Sequence, residues 1–92
     1  MTRGYAIGAQ IPGHTCAVRD LYRERDVAVF DNGIGGWAAD CEPLGLFEVT
    51  VTDPHGRYFR YRFWMVGGMR SGTFEHSIGT HPKQEVDHDP GS

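Results

Sequence analysis

The chain has 92 residues, of which 39% are hydrophobic and 12% aromatic, and its formal net charge at neutral pH is −3. A chain of this length forms one domain that buries roughly 60–65% of its unfolded surface, which leaves no room for a deep, enclosed catalytic cleft. No stretch approaches the roughly 20 apolar residues of a membrane-spanning helix, and the start lacks the apolar run of a signal peptide, so we expect a cytoplasmic protein.

Charge is distributed unevenly along the chain. Residues 1–56 hold four arginines and eight acidic residues, residues 57–74 hold four arginines and no acidic residue, and residues 75–92 hold one lysine and four acidic residues. The basic charge is therefore concentrated in one segment. Arginine outnumbers lysine eight to one, as a GC-rich genome would produce, which indicates a bacterial or phage source.

The first part of the chain predicts a strand and then an ambiguous segment. Residues 4–10 fit a short strand that ends at the turn-forming Ile-Pro-Gly of residues 11–13. Residues 15–26 fit two structures. Their apolar residues form a helical stripe with Thr15 as N-cap, but the same segment also fits a strand that turns at residues 23–25. At most one short helix is therefore expected.

A first hairpin is predicted near the middle of the chain. A short apolar run at residues 27–30 is followed by Asp-Asn-Gly and then by a return strand at residues 34–39. Asn-Gly favours a two-residue type I′ turn, because both residues accept positive φ angles. Such a turn would pair Trp37 with Ala28. The glycines that follow lack the strand–loop–helix context of a phosphate-binding loop.

The second hairpin can be assigned a register. Residues 46–52 alternate between apolar and polar, and residues 57–64 form the return strand. A two-residue or four-residue loop would place the apolar side chains of one strand beside the arginines of the other. A three-residue loop from Pro54 to Gly56 instead gives both strands one apolar face. Its proline and glycine also suit a type I turn that closes with a left-handed residue.

This register divides the arginine-rich strand between two faces. Three aromatic residues point into the core: Phe59, Tyr61 and Phe63. Four residues point outward and form a candidate partner-binding surface: Tyr58, Arg60, Arg62 and Trp64. On this surface Glu48 is expected to pair with Arg62. Two outlying contact residues are added: Arg70 and Trp37. Tryptophan, tyrosine and arginine often dominate the binding energy of protein interfaces, so the surface is typical of an interaction module.

Two other interpretations of this surface stay open. Aromatic rings that stack on bases, together with arginines that follow phosphates, are typical of single-stranded nucleic-acid binders. Such proteins usually have a basic surface, whereas this chain is acidic overall. Alternatively, the surface is structural and packs against residues 15–26, with arginine stems covering apolar groups.

Residues with metal-binding or redox chemistry do not form a standard pattern. His14, Cys16 and Cys41 are zinc-ligand types, but their spacing matches no common zinc motif. A small zinc or thiol-redox protein is therefore a third hypothesis. In a reducing cytoplasm we expect both cysteines to be free thiols. The acidic neighbours of Cys41, which are Asp40 and Glu42, would raise its thiol pKa rather than activate it.

The sequence as a whole predicts a mostly β domain over residues 1–78 and a flexible acidic, histidine-containing tail over residues 79–92. The domain is expected to be a small antiparallel sheet or a partly open barrel built from the two hairpins. Its function is predicted to be non-catalytic: an accessory or inhibitor protein that binds a larger protein, without cofactor, metal or membrane association. The exposed edge of so small a sheet also favours pairing with another chain, and a homodimer is one such assembly.

Overall fold

The computed structural model of the chain describes residues 4–80, with side chains described for residues 4–71. The prediction of a mostly β domain is confirmed, because these residues form eight strands and no helix. In chain order the strands are β1 Tyr5–Ala9, β2 Thr15–Asp20, β3 Arg25–Val27, β4 Val29–Asp31, β5 Gly36–Ala39, β6 Gly45–Thr52, β7 Arg57–Val66 and β8 Met69–Thr80. Of the predicted tail, the first two residues belong to β8, and residues 81–92 lie outside the described part of the chain.

The strands form two antiparallel sheets. The smaller sheet has the order β1-β5-β4, and the larger has the order β3-β2-β6-β7-β8. The chain passes from one sheet to the other at Ala28, because Val27 pairs with Val18 in the larger sheet and Val29 pairs with Ala39 in the smaller. The predicted antiparallel arrangement is confirmed, and the described strands do not close into a barrel. Between residues 4 and 80, no helix is long and apolar enough to cross a membrane.

The apolar core lies between the two sheets. Eight buried residues from both sheets form it: Ile7, Val18, Ala39, Phe47, Val49, Val51, Phe63 and Met65. Phe47 and Phe63 face each other across β6 and β7 and stack with ring centroids 5.7 Å apart. Tyr5 of the smaller sheet stacks on Phe63 at 6.2 Å. Burial of an aromatic side chain contributes roughly 1.5–3 kcal/mol, so these three rings are a main link between the sheets.

Residues 15–26 form β2, a turn at residues 21–24 and the start of β3, which confirms the strand alternative for this segment, although the turn begins two residues earlier than predicted. The turn follows Asp20, whose carboxylate is fully buried. Its Oδ1 accepts hydrogen bonds from the backbone N–H groups of Tyr22 and Arg23, and its Oδ2 accepts one from the Arg23 guanidinium at 2.9 Å. The same guanidinium donates to the carbonyl oxygen of Leu44. The turn is therefore tied to the chain that enters β6.

The first hairpin is present, but its predicted register is wrong by three positions. Trp37 pairs with Asp31 rather than with Ala28. The loop between the strands contains three residues instead of two, since the N–H of Asn32 donates to the carbonyl oxygen of Gly36 at 3.0 Å. The sequence Asn-Gly therefore does not form the two-residue type I′ turn that it favours in isolation.

The register of the second hairpin is confirmed at every position. Thr52 pairs with Tyr58 and Glu48 pairs with Arg62, so the loop consists of residues 54–56. Gly56 takes the left-handed conformation, with φ at 87°. This register is what gives the arginine-rich strand one face toward the core and one face away from it.

The two hairpin loops share one design. Each loop is preceded by an Asn or Asp whose Oδ1 accepts hydrogen bonds from the N–H groups two and four residues further on: Asn32 before the first loop and Asp53 before the second. In each loop the third residue is a left-handed glycine, Gly35 or Gly56. The side-chain acceptor satisfies N–H groups that the short loop cannot pair with backbone carbonyls, which favours three residues over two.

Candidate partner-binding face

The larger sheet has one surface against the core, and no other described strand packs on its opposite surface. We call that opposite surface the outer face. It comprises alternate residues of three adjacent strands: Ala17 and Arg19 of β2, Leu46, Glu48, Thr50 and Thr52 of β6, and Tyr58, Arg60, Arg62 and Trp64 of β7. The structure therefore brings four of the six predicted contact residues together on one surface.

Two arginines of the outer face share one carboxylate. The Nε of Arg62 donates to Oε2 of Glu48 at 3.0 Å, whereas the Nε of Arg60 lies 3.7 Å from Oε1 of the same residue. Arg60 is held instead by the hydroxyl of Thr50, at 2.9 Å, and its guanidinium lies 4.7 Å from the centre of the Tyr58 ring. Both guanidinium groups are thus fixed in position at the surface, and about one third of each side chain is exposed.

The described side chains of the outer face are nearly balanced in charge. Arg19 lies opposite Glu48 in the register, and its guanidinium makes an exposed ion pair with Asp26 at 3.2 Å. In this region the described side chains comprise three arginines and two carboxylates, so one positive charge is in excess. This is a mild positive field rather than the broad basic surface that usually accompanies nucleic-acid binding.

An apolar cluster that was not predicted from the sequence lies at one end of the outer face. Gly45 pairs with Met65, and Leu44 and Val66 are the next residues beyond this pair at the same end of the sheet. Val66 in turn pairs with Met69. All three are more than half exposed: Leu44 at 54%, Val66 at 55% and Met69 at 72%. The N–H of Gly68 donates to the carbonyl oxygen of Pro43 at 2.9 Å, which fastens the two loops together.

This cluster continues into the predicted surface through an aromatic pair. The ring of Tyr22, which is 56% exposed, meets the ring of Trp64 edge-on with centroids 5.6 Å apart. We call these five neighbouring residues the apolar end: Tyr22, Leu44, Trp64, Val66 and Met69. An extension of the predicted register by two pairs would have placed Leu46 opposite Trp64 and Leu44 opposite Val66. No sequence signal pointed to Tyr22, because its position depends on the turn at Asp20.

The hypothesis that this surface packs against residues 15–26 is wrong for most of its area. Residues 15–26 do not lie across the outer face, because β2 pairs edge to edge with β6 and extends the same sheet. One described contact of this kind is that of the Tyr22 ring with Trp64. The arginine side chains therefore do not act as a cover for an underlying segment of residues 15–26.

Trp37 and Arg70 do not lie on the outer face, so the structure separates them from the other four predicted contact residues. Trp37 belongs to the smaller sheet and packs against the core. The guanidinium of Arg70 lies over the rings of Tyr61 and Phe63, 5.5 and 4.9 Å from their centres, and both rings point inward. The backbone N–H of Arg70 donates to the hydroxyl of Tyr5, which belongs to the smaller sheet.

The structure does not assemble the predicted zinc ligands. Among the described residues, no group of three His, Cys, Asp or Glu side chains is placed to hold a metal ion. His14 has its Nδ1 within 3.0 Å of the carbonyl oxygen of Pro12. Cys16 and Cys41 are free thiols that pack against the core. The three candidate ligands therefore do not form one metal site in the described part of the chain.

Both thiols are shifted toward the protonated form. Burial raises the pKa of Cys16 to about 11. Burial also raises the pKa of Cys41 to about 12, with the negative charges of Asp20 and Asp40 adding to the effect. The predicted influence of Asp40 is confirmed, whereas the second contributing charge is that of Asp20 and not the predicted Glu42. A thiol with such a pKa is a poor nucleophile, since the thiolate is the reactive species.

The raised pKa values predict slow thiol chemistry. At pH 8, a pKa of about 11 rather than 9.0 lowers the thiolate fraction roughly 100-fold. We therefore expect both cysteines of the folded protein to react with a disulfide reagent such as DTNB at least roughly tenfold more slowly than in the guanidinium-denatured chain, because the greater nucleophilicity of a high-pKa thiolate offsets part of the lost thiolate fraction. The denatured chain is the matched control, and a thiol that reacts equally fast in both states would contradict the described burial.

Three cavities in the described part of the chain are small. One of about 260 Å³ lies beside His14 and Phe59, one of about 230 Å³ beside Asp26 and Asp40, and one of about 190 Å³ beside Trp37. Sites for small molecules usually enclose roughly 300–1,000 Å³.

Comparison of the chain with protein-family models, with curated proteins and with solved structures finds no match. The outer face is therefore the candidate functional site in the described part of the chain.

Proposed function

We propose that this protein is a non-catalytic interaction module that binds a larger protein through the outer face of its five-stranded sheet. The observation that carries this proposal is the apolar end, where Leu44, Val66 and Met69 are more than half exposed beside the Tyr22–Trp64 ring pair. Contiguous exposed apolar side chains bordered by polar groups are typical of protein-binding surfaces.

The rest of the outer face supports the same proposal. Arg60 and Arg62 are held in place by neighbouring side chains, so little side-chain entropy is lost when a partner contacts them. Trp, Tyr and Arg are also the residue types that most often carry the binding energy of an interface, especially near its centre. The proposed contact surface is therefore the apolar end together with Tyr58, Arg60 and Arg62.

The non-catalytic part of the proposal is supported by the small cavities and by the protonated state of both thiols. We place the protein in the cytoplasm of a bacterium or of a phage-infected cell, as an accessory or inhibitory protein, and free thiols suit such a reducing compartment. The expected homodimer stays a prediction, for which the twelve-residue edge strand β8 is the natural pairing element.

The experiment for this proposal is a pull-down from a lysate of the source organism. We expect the wild-type chain to capture a protein partner, with or without nuclease treatment, and the double variant Arg60→Ala/Trp64→Ala to bind it at least roughly 100-fold more weakly, since each truncation at an interface centre costs about 2 kcal/mol or more. Arg25→Ala is the matched control, because Arg25 forms an exposed ion pair with Glu42 away from the outer face. Capture that survives the double substitution would contradict the proposal.

Single-stranded nucleic-acid binding is the second candidate function. It is favoured by Tyr58 and Arg60, whose ring and guanidinium stack on each other and could receive a base and a phosphate. It is disfavoured by Glu48, which places a carboxylate between the arginines. Its distinguishing property is salt dependence, because log K falls with a slope of roughly −0.7 for each phosphate neutralised on a single strand.

A further inference from the structure

The outer face combines an arginine pair that shares one carboxylate with an apolar end, and this combination indicates the chemistry of the partner. We propose that the outer face recognises an extended protein segment that presents a carboxylate to Arg60 and a large apolar side chain to the apolar end. This inference rests on the proposed protein-binding function and specifies the kind of segment that the face binds.

Arg60 is the group on which the acidic part of the inference rests. Its nearest described carboxylate oxygen, Oε1 of Glu48, is 3.7 Å away, whereas Arg62 has a contact of 3.0 Å with the same side chain. The described hydrogen bond of Arg60 uses its Nε, which donates to Thr50. A carboxylate that approaches the two Nη atoms would form a bidentate, charge-assisted pair without displacing that bond.

Glu48 acts as an internal competitor for the same guanidinium groups. Its side chain is only 16% exposed and lies between Arg60 and Arg62, so it lowers the positive potential that an incoming carboxylate experiences. Removal of its charge should therefore strengthen binding of an acidic partner and weaken binding of a basic one. The sign of this effect reports the charge of the partner.

The spacing along β7 limits the shape of the partner segment. Arg60 and Trp64 lie on the same face of one strand, four residues apart, which corresponds to about 13 Å. An extended segment that runs along this strand spans that distance with about four residues. The expected recognition pattern is therefore an acidic residue and a large apolar residue separated by three intervening positions.

A protein segment explains both parts of the outer face better than a nucleic acid does. The excess charge of the described region is a single positive charge, which is too little for the row of phosphate contacts on which nucleic-acid affinity depends. The exposed Leu44, Val66 and Met69 have aliphatic or thioether side chains rather than rings on which bases stack.

The test is a selection of random peptides displayed on phage against the immobilised full chain, followed by affinity measurements with synthetic copies of the enriched peptides. We expect enriched peptides to carry the acidic–apolar pattern. We expect Arg60→Gln to weaken their binding at least roughly tenfold and Glu48→Gln to strengthen it by a few-fold. Arg25→Gln is the matched control and should leave the affinity unchanged, and near-ultraviolet circular dichroism verifies that each variant is folded.

The other outcomes separate this inference from the function on which it rests. Enriched peptides that lack acidic residues, bind Arg60→Gln normally and depend on Trp64 and Met69 would overturn the acidic inference and leave the docking function intact. A selection without enrichment would overturn the extended-segment inference and leave the docking function to the pull-down, whereas peptides that bind Trp64→Ala normally would overturn both. An oligothymidylate that displaces the peptides with steep salt dependence would overturn both in favour of nucleic-acid binding.

Discussion

Substitution of Asp20 by alanine is expected to lower the free energy of unfolding by about 2–4 kcal/mol. The Asp20 side chain is 1% exposed and accepts three described hydrogen bonds, from two backbone N–H groups and from the Arg23 guanidinium. Alanine would leave those N–H groups without their acceptor at a turn whose fourth residue, Glu24, has a left-handed φ of 53°. Urea unfolding monitored by tryptophan fluorescence measures the loss.

The matched control for this substitution is Asp26→Ala. Asp26 is also an aspartate paired with an arginine in the same hairpin, but its side chain is 92% exposed. Exposed ion pairs contribute about 0–1 kcal/mol, so its loss should be small. Equal losses for the two variants would show that burial of Asp20 does not determine its contribution.

The pH dependence of the free energy of unfolding of Asp20→Asn is an independent test of the same buried carboxylate. Burial alone would raise the pKa of Asp20, but the N–H groups of Arg23 and Tyr22 and the charge of Arg23 together hold that pKa below its ordinary value. A carboxyl group whose pKa is lower in the folded state stabilises the protein above its unfolded pKa, and this stabilisation is lost as the pH falls through the folded pKa. The stability gap between wild type and Asp20→Asn should therefore narrow below about pH 4.

The buried carboxylate also connects the stability of the fold to the candidate site. Asp20 fixes the backbone N–H of Tyr22, and the ring of Tyr22 forms the edge-on contact with Trp64. Through Arg23 the same carboxylate is linked to the carbonyl of Leu44. Three residues of the apolar end thus depend on one inward-facing acid, which itself has no access to a partner.

The register of β6 and β7 could be predicted because two independent constraints agreed. Strict alternation on both strands fixed which residues share a face, and the Pro-His-Gly loop fixed the number of loop residues. The first hairpin had only one constraint. Its strands are short and its return strand begins with glycines, so no alternation tested the loop length that Asn-Gly favours. The side chain of Asn32 then closed a longer loop.

The division into two sheets could not be read from hydrophobic periodicity. Residues 27–30 form one apolar run, whose pattern predicts a single strand, yet the chain changes sheets at Ala28 within that run. A period-two pattern reports which side chains are buried but not which neighbour provides the hydrogen bonds. The same limit applies to β8, whose twelve residues alternate weakly and whose place beside β7 follows from pairing alone.

The apolar end was missed because it is assembled from three distant segments. Leu44 precedes β6, Val66 and Met69 flank the turn after β7, and Tyr22 lies in the turn between β2 and β3. None of these segments has an unusual composition. Their proximity results from the pairing of β2 with β6 and of β6 with β7. The outward-facing arginines of β7 could therefore be predicted from the sequence, but the apolar end could not.

Phe63→Ala is expected to lower the free energy of unfolding by about 3–5 kcal/mol. The ring of Phe63 is fully buried, stacks on both Phe47 and Tyr5, and is covered by the guanidinium of Arg70 at 4.9 Å. Its removal opens a cavity between the sheets and deprives both neighbouring rings of contacts. Because small domains have a total stability of only about 5–15 kcal/mol, Phe63→Leu provides a milder variant whose loss can be measured where the alanine variant fails to fold.

Trp64→Ala, at the next position, should largely keep the stability of the fold and lose partner binding. Trp64 follows Phe63 on the same strand but lies on the outer face, where its described ring partner is Tyr22. An aromatic pair of this kind contributes about 0.5–1.5 kcal/mol, so the variant should remain folded and lose partner binding. Phe63→Leu should lose stability and keep binding, with peptide affinity and urea unfolding measured on both variants. Two neighbouring residues that gave the same result in both measurements would contradict the two-faced strand, because that strand requires consecutive side chains to serve different surfaces.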